Sequence, residues 1–198
     1  MQITADLVKQ LRERTGAGMM ECKKALADTA GDLDRAVDAL RKSGAAKAEK
    51  RADRAANEGR VDSYIHPGNR VGVLIEVNCE TDFVARTPEF EDLVRNLAMQ
   101  AAAAGAEYVR REDVPGERVE RERGIYRAQM EGQNKPAAVI DKIIEGKLDR
   151  FYSEMCLLDQ PYIRDDKKTI ADIVQEAVAK TGENIVVRRF ARFRLGQE

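Results

Sequence analysis

The sequence predicts an α+β protein in which helices cover one side of an antiparallel sheet. Three observations support this fold class. Segments with the helical period of apolar residues lie near both ends of the chain and in its middle. Two alternating apolar stretches flank Pro67-Gly68-Asn69, a pattern typical of a β-hairpin. The chain also lacks the regular strand–helix–strand repeats that indicate a parallel sheet.

The first predicted elements are three short helices over 1–44 that form a small bundle. Thr4 is placed to cap the first helix, and Asp32 to cap the third, which we expect to stop at Gly44. Residues 45–59 are charged and Ala-rich, without a wide apolar stripe. We therefore predict an N-terminal domain over 1–44 and a helical linker over 45–59.

Residues 60–198 form the predicted core, which would also be the dimerisation domain. In chain order we expect hairpin strands at 61–66 and 70–78, helices that begin near Pro88, Pro136 and Thr169, and a final strand at 185–195. The segment 107–135 is rich in Arg and Glu, and its glycines at 124 and 132 argue against one long helix.

Composition and charge exclude several classes of function. The 198 residues are 43% hydrophobic and 35% charged, and 34 basic against 35 acidic side chains give a net charge of −1. This balance argues against a protein whose main task is to neutralise nucleic-acid phosphates, so we expect no direct nucleic-acid partner. The segment 41–60, with seven Lys or Arg against three acidic residues, keeps an RNA-binding alternative open.

The chain has the features of a cytoplasmic protein without a membrane partner. No stretch approaches the roughly 18 apolar residues of a membrane helix, and the N-terminus lacks the apolar centre of a signal peptide. The cysteines at 22, 79 and 156 are odd in number and far apart, which fits a reducing compartment. We expect Cys79 to be a buried structural thiol.

The sequence offers no recognisable catalytic site. His66 is the only histidine and lies at the hairpin turn, where we expect a plain polar residue. The chain has neither a phosphate-cradling glycine loop nor a dinucleotide fingerprint, and no pair of acidic residues stands out as general acid and base. We therefore predict a protein that is not an enzyme, uses no metal or cofactor, and acts by binding another protein.

The most informative stretch is Asn-Cys-Glu-Thr-Asp-Phe-Val-Ala-Arg at 78–86, which joins a strand to a helix. Thr87 and Pro88 suit the start of that helix, so we expect the residues around Thr81 to form a short turn. Phe83 then places a large apolar ring in the turn. Either the ring folds back into the core, or it is presented to a partner.

Four blocks in this order resemble the elongation factor Ts family, in its short bacterial type with a single core module. They are LRERTGAGMM at 11–20, NCETDFVAR at 78–86, LDQPY at 158–162 and GENIVVRRF at 182–190. The resemblance implies a guanine-nucleotide exchange factor for the translation factor EF-Tu. It also implies a ubiquitin-associated-like fold for 1–44.

The resemblance assigns residues to two tasks. In the family, one turn is pushed into the nucleotide-binding domain of EF-Tu, where it loosens Mg²⁺ and then GDP; in this chain the matching residues are Thr81, Asp82, Phe83 and Val84. The positions matching EF-Tu contacts of the N-terminal domain are Arg12, Met19, Met20 and Lys23. Adjacent methionines on one short helix cannot both point inward, so we expect one to be exposed, and Met20 in the core is the alternative.

A single core module would leave one sheet surface uncovered. A second copy related by twofold symmetry would cover it, so we predict a homodimer that binds two EF-Tu molecules. A second reading remains open: a stand-alone interaction protein whose three-helix domain binds peptides or ubiquitin-like partners while the core only dimerises.

Overall fold

The computed structural model describes residues 3–132 and 135–197 and has the predicted α+β fold. The helices are α1 (Ala5–Thr15), α2 (Met19–Asp28), α3 (Leu33–Glu49), α4 (Asp82–Ala85), α5 (Pro88–Ala104), α6 (Gly116–Ala128), α7 (Ala137–Met155) and α8 (Ile170–Thr181). The strands are β1 (Glu58–Ile65), β2 (Val71–Cys79), β3 (Pro161–Tyr162), β4 (Asp165–Thr169) and β5 (Val186–Arg194).

Two sheets are present in the described residues, one of order β1-β2-β5 and one of order β3-β4. Leu195 N donates to Arg70 O at 2.8 Å, which places the end of β5 beside the start of β2 and makes that pair antiparallel. The chain divides into two compact units, which are Met1–Val61, Glu76–Val94 and Asp172–Arg188, and Asp62–Ile75, Arg95–Ala171 and Arg189–Glu198.

In the first unit, helices α1, α2 and α3 pack around one small apolar cluster of Val8, Leu11, Cys22, Ala25, Leu26 and Ala36. Both predicted caps are confirmed: Thr4 Oγ1 accepts from Leu7 N at 3.3 Å, and Asp32 Oδ1 accepts from Arg35 N at 3.0 Å. The likeness of this bundle to a ubiquitin-associated domain stays a prediction.

The prediction that the third helix stops at Gly44 is wrong, because α3 continues to Glu49. A methyl group added at Gly44 would lie 3.4 Å from Ala179 Cβ, so α3 passes α8 at ordinary contact distance at this residue. A glycine inside a helix costs about 1 kcal/mol relative to alanine, which is too little to end a helix by itself.

The expectation of a helical linker over 45–59 is also wrong in its details. Only residues 45–49 are helical, turns follow to residue 54, and β1 already begins at Glu58. The division of the chain into domains over 1–44, 45–59 and 60–198 stays a prediction.

Gly59 of β1 lies against the backbone of β2, and we expect Gly59→Ala to destabilise the protein. Its φ is +143°, and an added Cβ would overlap the Val77 carbonyl oxygen and lie 2.7 Å from Asn78 Cα. Backbone strain and overpacking together predict a loss of about 2–5 kcal/mol in the free energy of unfolding, measured by urea titration. Gly124→Ala is the matched control, because Gly124 lies inside α6 with open space around it. That change should stabilise by about 0.5–1 kcal/mol, and equal effects of the two would contradict the assignment.

Helix α6 passes through Gly124 but ends at Ala128, so 107–135 is not one long helix, as predicted. Its side chains pair with neighbouring elements: Arg118 with Glu107, and Arg123 with Glu145 of α7. These pairs lie in the second unit. Gly132, the second glycine of this segment, has a φ of +80° and lies after the end of α6.

The LDQPY block at 158–162 builds a buried amide network in the second unit. Gln100 Nε2 donates to Gln160 Oε1 at 3.2 Å and to Pro161 O at 3.1 Å, and Gln100 Oε1 accepts from Ile163 N at 3.0 Å. This network supports the β3-β4 sheet, which the sequence analysis did not predict because β3 has two residues and β4 reads Asp-Asp-Lys-Lys-Thr.

One end of the three-stranded sheet is apolar and open. In β2 the alternation is as predicted, with Val73, Ile75, Val77 and Cys79 buried. In β5 Val187 is buried, whereas Phe193 is 72% exposed, and Leu195, which follows the strand, is 65% exposed. These two side chains line a groove in the second unit with Ile65, Gly72 and Leu74. We call these five residues the hairpin groove.

Candidate partner-binding site around the 81–84 turn

The exposed ring of Phe83 stands at the centre of the candidate site. Strand β2 ends at Cys79, and α4 forms a single helical turn, capped where Thr81 Oγ1 accepts from Val84 N at 3.4 Å. The predicted short turn between strand and helix is therefore confirmed. Phe83 is 81% exposed, so its ring points to solvent and not into the core.

Two buried residues, Cys79 and Ala85, support the turn on its inner side. Cys79 Sγ donates to Thr81 O at 3.1 Å, and Ala85 is buried on the inner side of α4. Burial raises the pKa of the Cys79 thiol to about 11, with the Glu183 carboxylate adding to the shift, so this thiol stays protonated at neutral pH. It is the buried structural thiol that the sequence predicted, and Cys22 and Cys156 are likewise buried and free.

A carboxylate from the other end of the sequence holds the entry to the turn. Glu183 Oε2 accepts from the backbone N–H groups of Glu80 and Thr81, both at 3.1 Å. Glu183 Oε1 accepts from the Thr81 hydroxyl at 2.6 Å. Glu183 lies in the GENIVVRRF block, but no local pattern in the sequence marks it as a site residue.

The neighbouring residues form a reciprocal set of bonds. Asn184 N donates to Glu80 Oε1 at 2.6 Å. The buried Asn184 amide donates to the carbonyl oxygens of Ala52 at 3.2 Å and Arg54 at 2.8 Å. We call Glu80, Glu183 and Asn184 the polar clamp, because together they tie the turn, the start of β5 and the chain after α3.

The four predicted docking residues lie where α1 ends and α2 begins, on the same compact unit as the turn. Met19 is 61% exposed and Met20 is 74% exposed. The expectation that the two do not both point inward is confirmed, since both are exposed, and the alternative that Met20 lies in the core is wrong. Since α2 begins at Met19, its inward positions are taken by Cys22, Ala25 and Leu26.

The cations of this surface are available to a partner. The side chains of Arg12 and Lys23 are exposed, and neither forms an ion pair within residues 3–132 and 135–197. Met19 and Lys23 are four residues apart on α2 and so share one face.

Other kinds of site find little support in the described part of the chain. It contains no group of three His, Cys, Asp or Glu side chains that could hold a metal ion. It also contains no helix that is both long and apolar enough to cross a membrane. His66 Nδ1 lies 3.1 Å from the Tyr64 hydroxyl beside the hairpin turn.

Comparison with known proteins gives one consistent answer. The family model described as elongation factor TS matches residues 3–197. Elongation factor Ts of Pseudothermotoga lettingae is 59% identical over 198 residues, which cover 100% of both chains. The proteins of the same name from Caldanaerobacter subterraneus subsp. tengcongensis and Anaeromyxobacter sp. are 58% and 57% identical, covering 98% and 99% of this chain and 98% and 90% of their own lengths. The chain therefore belongs to the elongation factor Ts family.

Proposed function

We propose that the protein is a guanine-nucleotide exchange factor for EF-Tu in translation elongation, which binds EF-Tu·GDP, displaces Mg²⁺ and promotes release of GDP. The observation that carries this proposal is the exposed Phe83 ring on a turn whose entry is held by three hydrogen bonds to the Cys79 and Glu183 side chains. An apolar ring held in water by a fixed turn gains free energy when a partner buries it. Family membership supports EF-Tu as that partner.

The mechanism follows from differential binding. EF-Tu holds GDP through phosphate contacts and a bridging Mg²⁺, and the protein binds best to the state in which those contacts are distorted. A ligand that favours one state shifts the population toward it, so the protein and the nucleotide weaken each other reciprocally. The protein makes and breaks no covalent bond in this scheme, so it is no enzyme, and the Mg²⁺ belongs to EF-Tu.

The free energy of burying Phe83 indicates what the 81–84 turn contributes and what the docking surface contributes. Burial of one Phe side chain contributes about 1.5–3 kcal/mol, which corresponds to about one to two orders of magnitude in rate. Any larger acceleration requires other contacts that hold the distorted state. Arg12, Met19, Met20 and Lys23 instead supply affinity for EF-Tu as a whole, with two adaptable thioether side chains beside two unpaired cations.

Release of a fluorescent GDP analogue from EF-Tu tests the proposal. A catalytic amount of the protein should speed release in the presence of excess unlabelled GDP. If the protein binds EF-Tu but leaves the release rate unchanged, it is the stand-alone interaction module of the second reading. If it binds RNA with a steep dependence on salt instead, the nucleic-acid alternative holds.

Truncation of the docking methionines should weaken binding without slowing the exchange step itself. In Met19→Ala/Met20→Ala the protein concentration that gives half-maximal release should rise about ten- to a hundredfold, since two exposed apolar side chains lose their burial. The rate at saturation should stay close to that of the wild type. The melting temperature should also be unchanged, because neither side chain is in the core.

The matched control for this pair is Ile163→Ala, which removes an exposed apolar side chain in the other compact unit. It should leave the half-maximal concentration unchanged. Equal effects of the control and the double variant, or an unchanged half-maximal concentration in the double variant, would contradict the docking role.

We further propose that the protein is a cytoplasmic homodimer that binds two EF-Tu molecules and has no direct nucleic-acid or membrane partner. Support comes from the hairpin groove, where apolar side chains of β1, β2 and β5 meet at one surface. Twofold pairing covers the same surface on both copies at once. The 81–84 turn and the docking surface belong to the other compact unit, so each copy would keep both.

A further inference from the structure

We infer that Glu183 is a positioning residue for nucleotide exchange, which fixes the 81–84 turn and thereby the direction of Phe83. The inference rests on the proposed function. Glu183 acts through Thr81 and Glu80, whose backbone and hydroxyl groups it holds. Its role is separate from the burial of the Phe83 ring by the partner.

The geometry explains why the turn needs such an anchor. Helix α4 has only four residues, so its own hydrogen bonds are too few to keep it folded or to fix its orientation. Consecutive N–H groups at the start of a helix have no partner within the helix. The Glu183 carboxylate accepts from the N–H groups of Thr81, the residue that caps α4, and of Glu80 before it, at the point where the chain leaves β2.

The hydroxyl of Thr81 connects Glu183 to the backbone of α4. It donates to Glu183 Oε1 at 2.6 Å, which fixes its proton and directs its lone pairs. The same oxygen accepts from Val84 N at 3.4 Å, next to Phe83. One continuous chain of hydrogen bonds therefore runs from Glu183 through Thr81 to the backbone of the turn.

The residues on both sides of Glu183 are held by hydrogen bonds. Gly182, with a φ of +79°, ends α8, and its N–H donates to Val178 O at 3.0 Å. On the other side, Asn184 is held by Glu80 and by the carbonyl oxygens of Ala52 and Arg54. Glu183 thus stands between the end of α8 and the start of β5 with little freedom to move.

Hydrogen bonding, and not ion pairing, accounts for the Glu183 contacts. No Lys or Arg side chain of the described residues forms an ion pair with it. A glutamine at this position would keep a carbonyl oxygen that accepts from both N–H groups. Glu183→Gln should therefore preserve most of the placement, whereas Glu183→Ala removes all three bonds.

A turn that is already in place has less freedom to lose on binding. Without Glu183 the ring of Phe83 samples several directions, so a smaller fraction of encounters distorts the Mg²⁺ site. Docking through Met19 and Met20 is untouched. We expect Glu183→Ala to lower the rate of GDP release at saturation about tenfold and to leave the half-maximal concentration unchanged.

The experiment uses the full chain and two readouts. The first is amide hydrogen exchange of Glu80 and Thr81 in the free protein, which should be faster in Glu183→Ala and protected in the wild type and in Glu183→Gln. The second is fluorescent GDP release from EF-Tu at saturation. There Glu183→Gln should recover to within about twofold of the wild type, and Phe83→Ala/Glu183→Ala should be no slower than Phe83→Ala alone. Glu91→Ala, which removes an exposed pair with Arg60 in the same compact unit, is the control and should change neither readout.

Two results would overturn the inference while the proposed function stands. One is a normal release rate in Glu183→Ala with unprotected amides at 80 and 81, since the placement of the turn would then be irrelevant. The other is an additive loss in the double variant, since Glu183 would then act elsewhere. A wild type that does not speed release overturns the proposed function itself. If Glu183→Ala does not fold, Thr81→Val, which removes only the hydroxyl, takes its place with the same expected loss, and an unchanged rate would overturn the inference.

Discussion

Phe83→Ala is expected to slow GDP release from EF-Tu, stimulated by saturating protein, by about ten- to a hundredfold. The ring is 81% exposed in the free protein, so nearly all of its burial takes place on the partner. If that burial occurs only in the distorted, Mg²⁺-poor state, its loss raises the barrier to release and leaves docking intact. Stopped-flow fluorescence over a range of protein concentrations separates these two effects.

A comparison with Phe90 distinguishes a functional ring from a structural one. Phe90 lies seven residues farther along the same unit and is fully buried. Phe90→Ala should lower the free energy of unfolding by about 3–5 kcal/mol, whereas Phe83→Ala should change it by less than about 0.5 kcal/mol. If Phe83→Ala exchanged normally but melted far below the wild type, Phe83 would be a core residue and the wedge would be excluded.

A graded series sharpens the same test. Phe83→Leu keeps much of the apolar area and should lose only a few-fold in rate, between the wild type and Phe83→Ala. Asp82 and Arg86 form an exposed ion pair on α4 at 2.9 Å. Because such pairs contribute about 0–1 kcal/mol, Arg86→Ala should have a small effect by comparison.

Local signals in the sequence were sufficient for the elements whose ends are set by their own residues. The caps at Thr4 and Asp32, the hairpin turn before Asn69 and the start of α5 after Thr87 all depend on contacts within four residues. Gly44 shows where such reasoning fails. It lies inside α3 beside Ala179 of α8, a neighbour that is 135 residues away in sequence and is not indicated by any local pattern.

Some features of the candidate site also have local signals in the sequence, and others do not. The sequence displays a large ring between a strand and a helix start, which left two outcomes open, and the structure shows that the Phe83 ring is exposed. The bond from Glu183 to Thr81 spans 102 residues and has no local signature, so the polar clamp could not be found without the structure. The exposure of Met20 was misjudged for another reason: the exact start of α2 decides which of its residues face inward, and helix ends are the least predictable part of a helix.

A charge placed in the hairpin groove is expected to separate the proposed dimer. The wild type should sediment as a species of about 44 kDa, twice the chain mass of 22.1 kDa. In a twofold interface each substitution appears in both copies, so Phe193→Glu removes two large apolar side chains and buries two carboxylates close together. Each lost apolar side chain costs about 1.5–3 kcal/mol, so the dissociation constant should rise by more than about a hundredfold and leave monomers at micromolar concentration.

Ile163→Glu is the control for this substitution. Ile163 is an exposed apolar residue of the same compact unit, but it lies outside the hairpin groove, so its variant should remain a dimer. Circular dichroism would establish that both variants are folded. The dimer of the wild type should bind two EF-Tu molecules, which sedimentation of the complex measures directly, because each copy carries its own Phe83 turn and its own docking surface. A wild type that sediments at about 22 kDa at micromolar concentration and still promotes GDP release would exclude an obligate dimer. The hairpin groove would then have to be covered by EF-Tu itself or stay in contact with water.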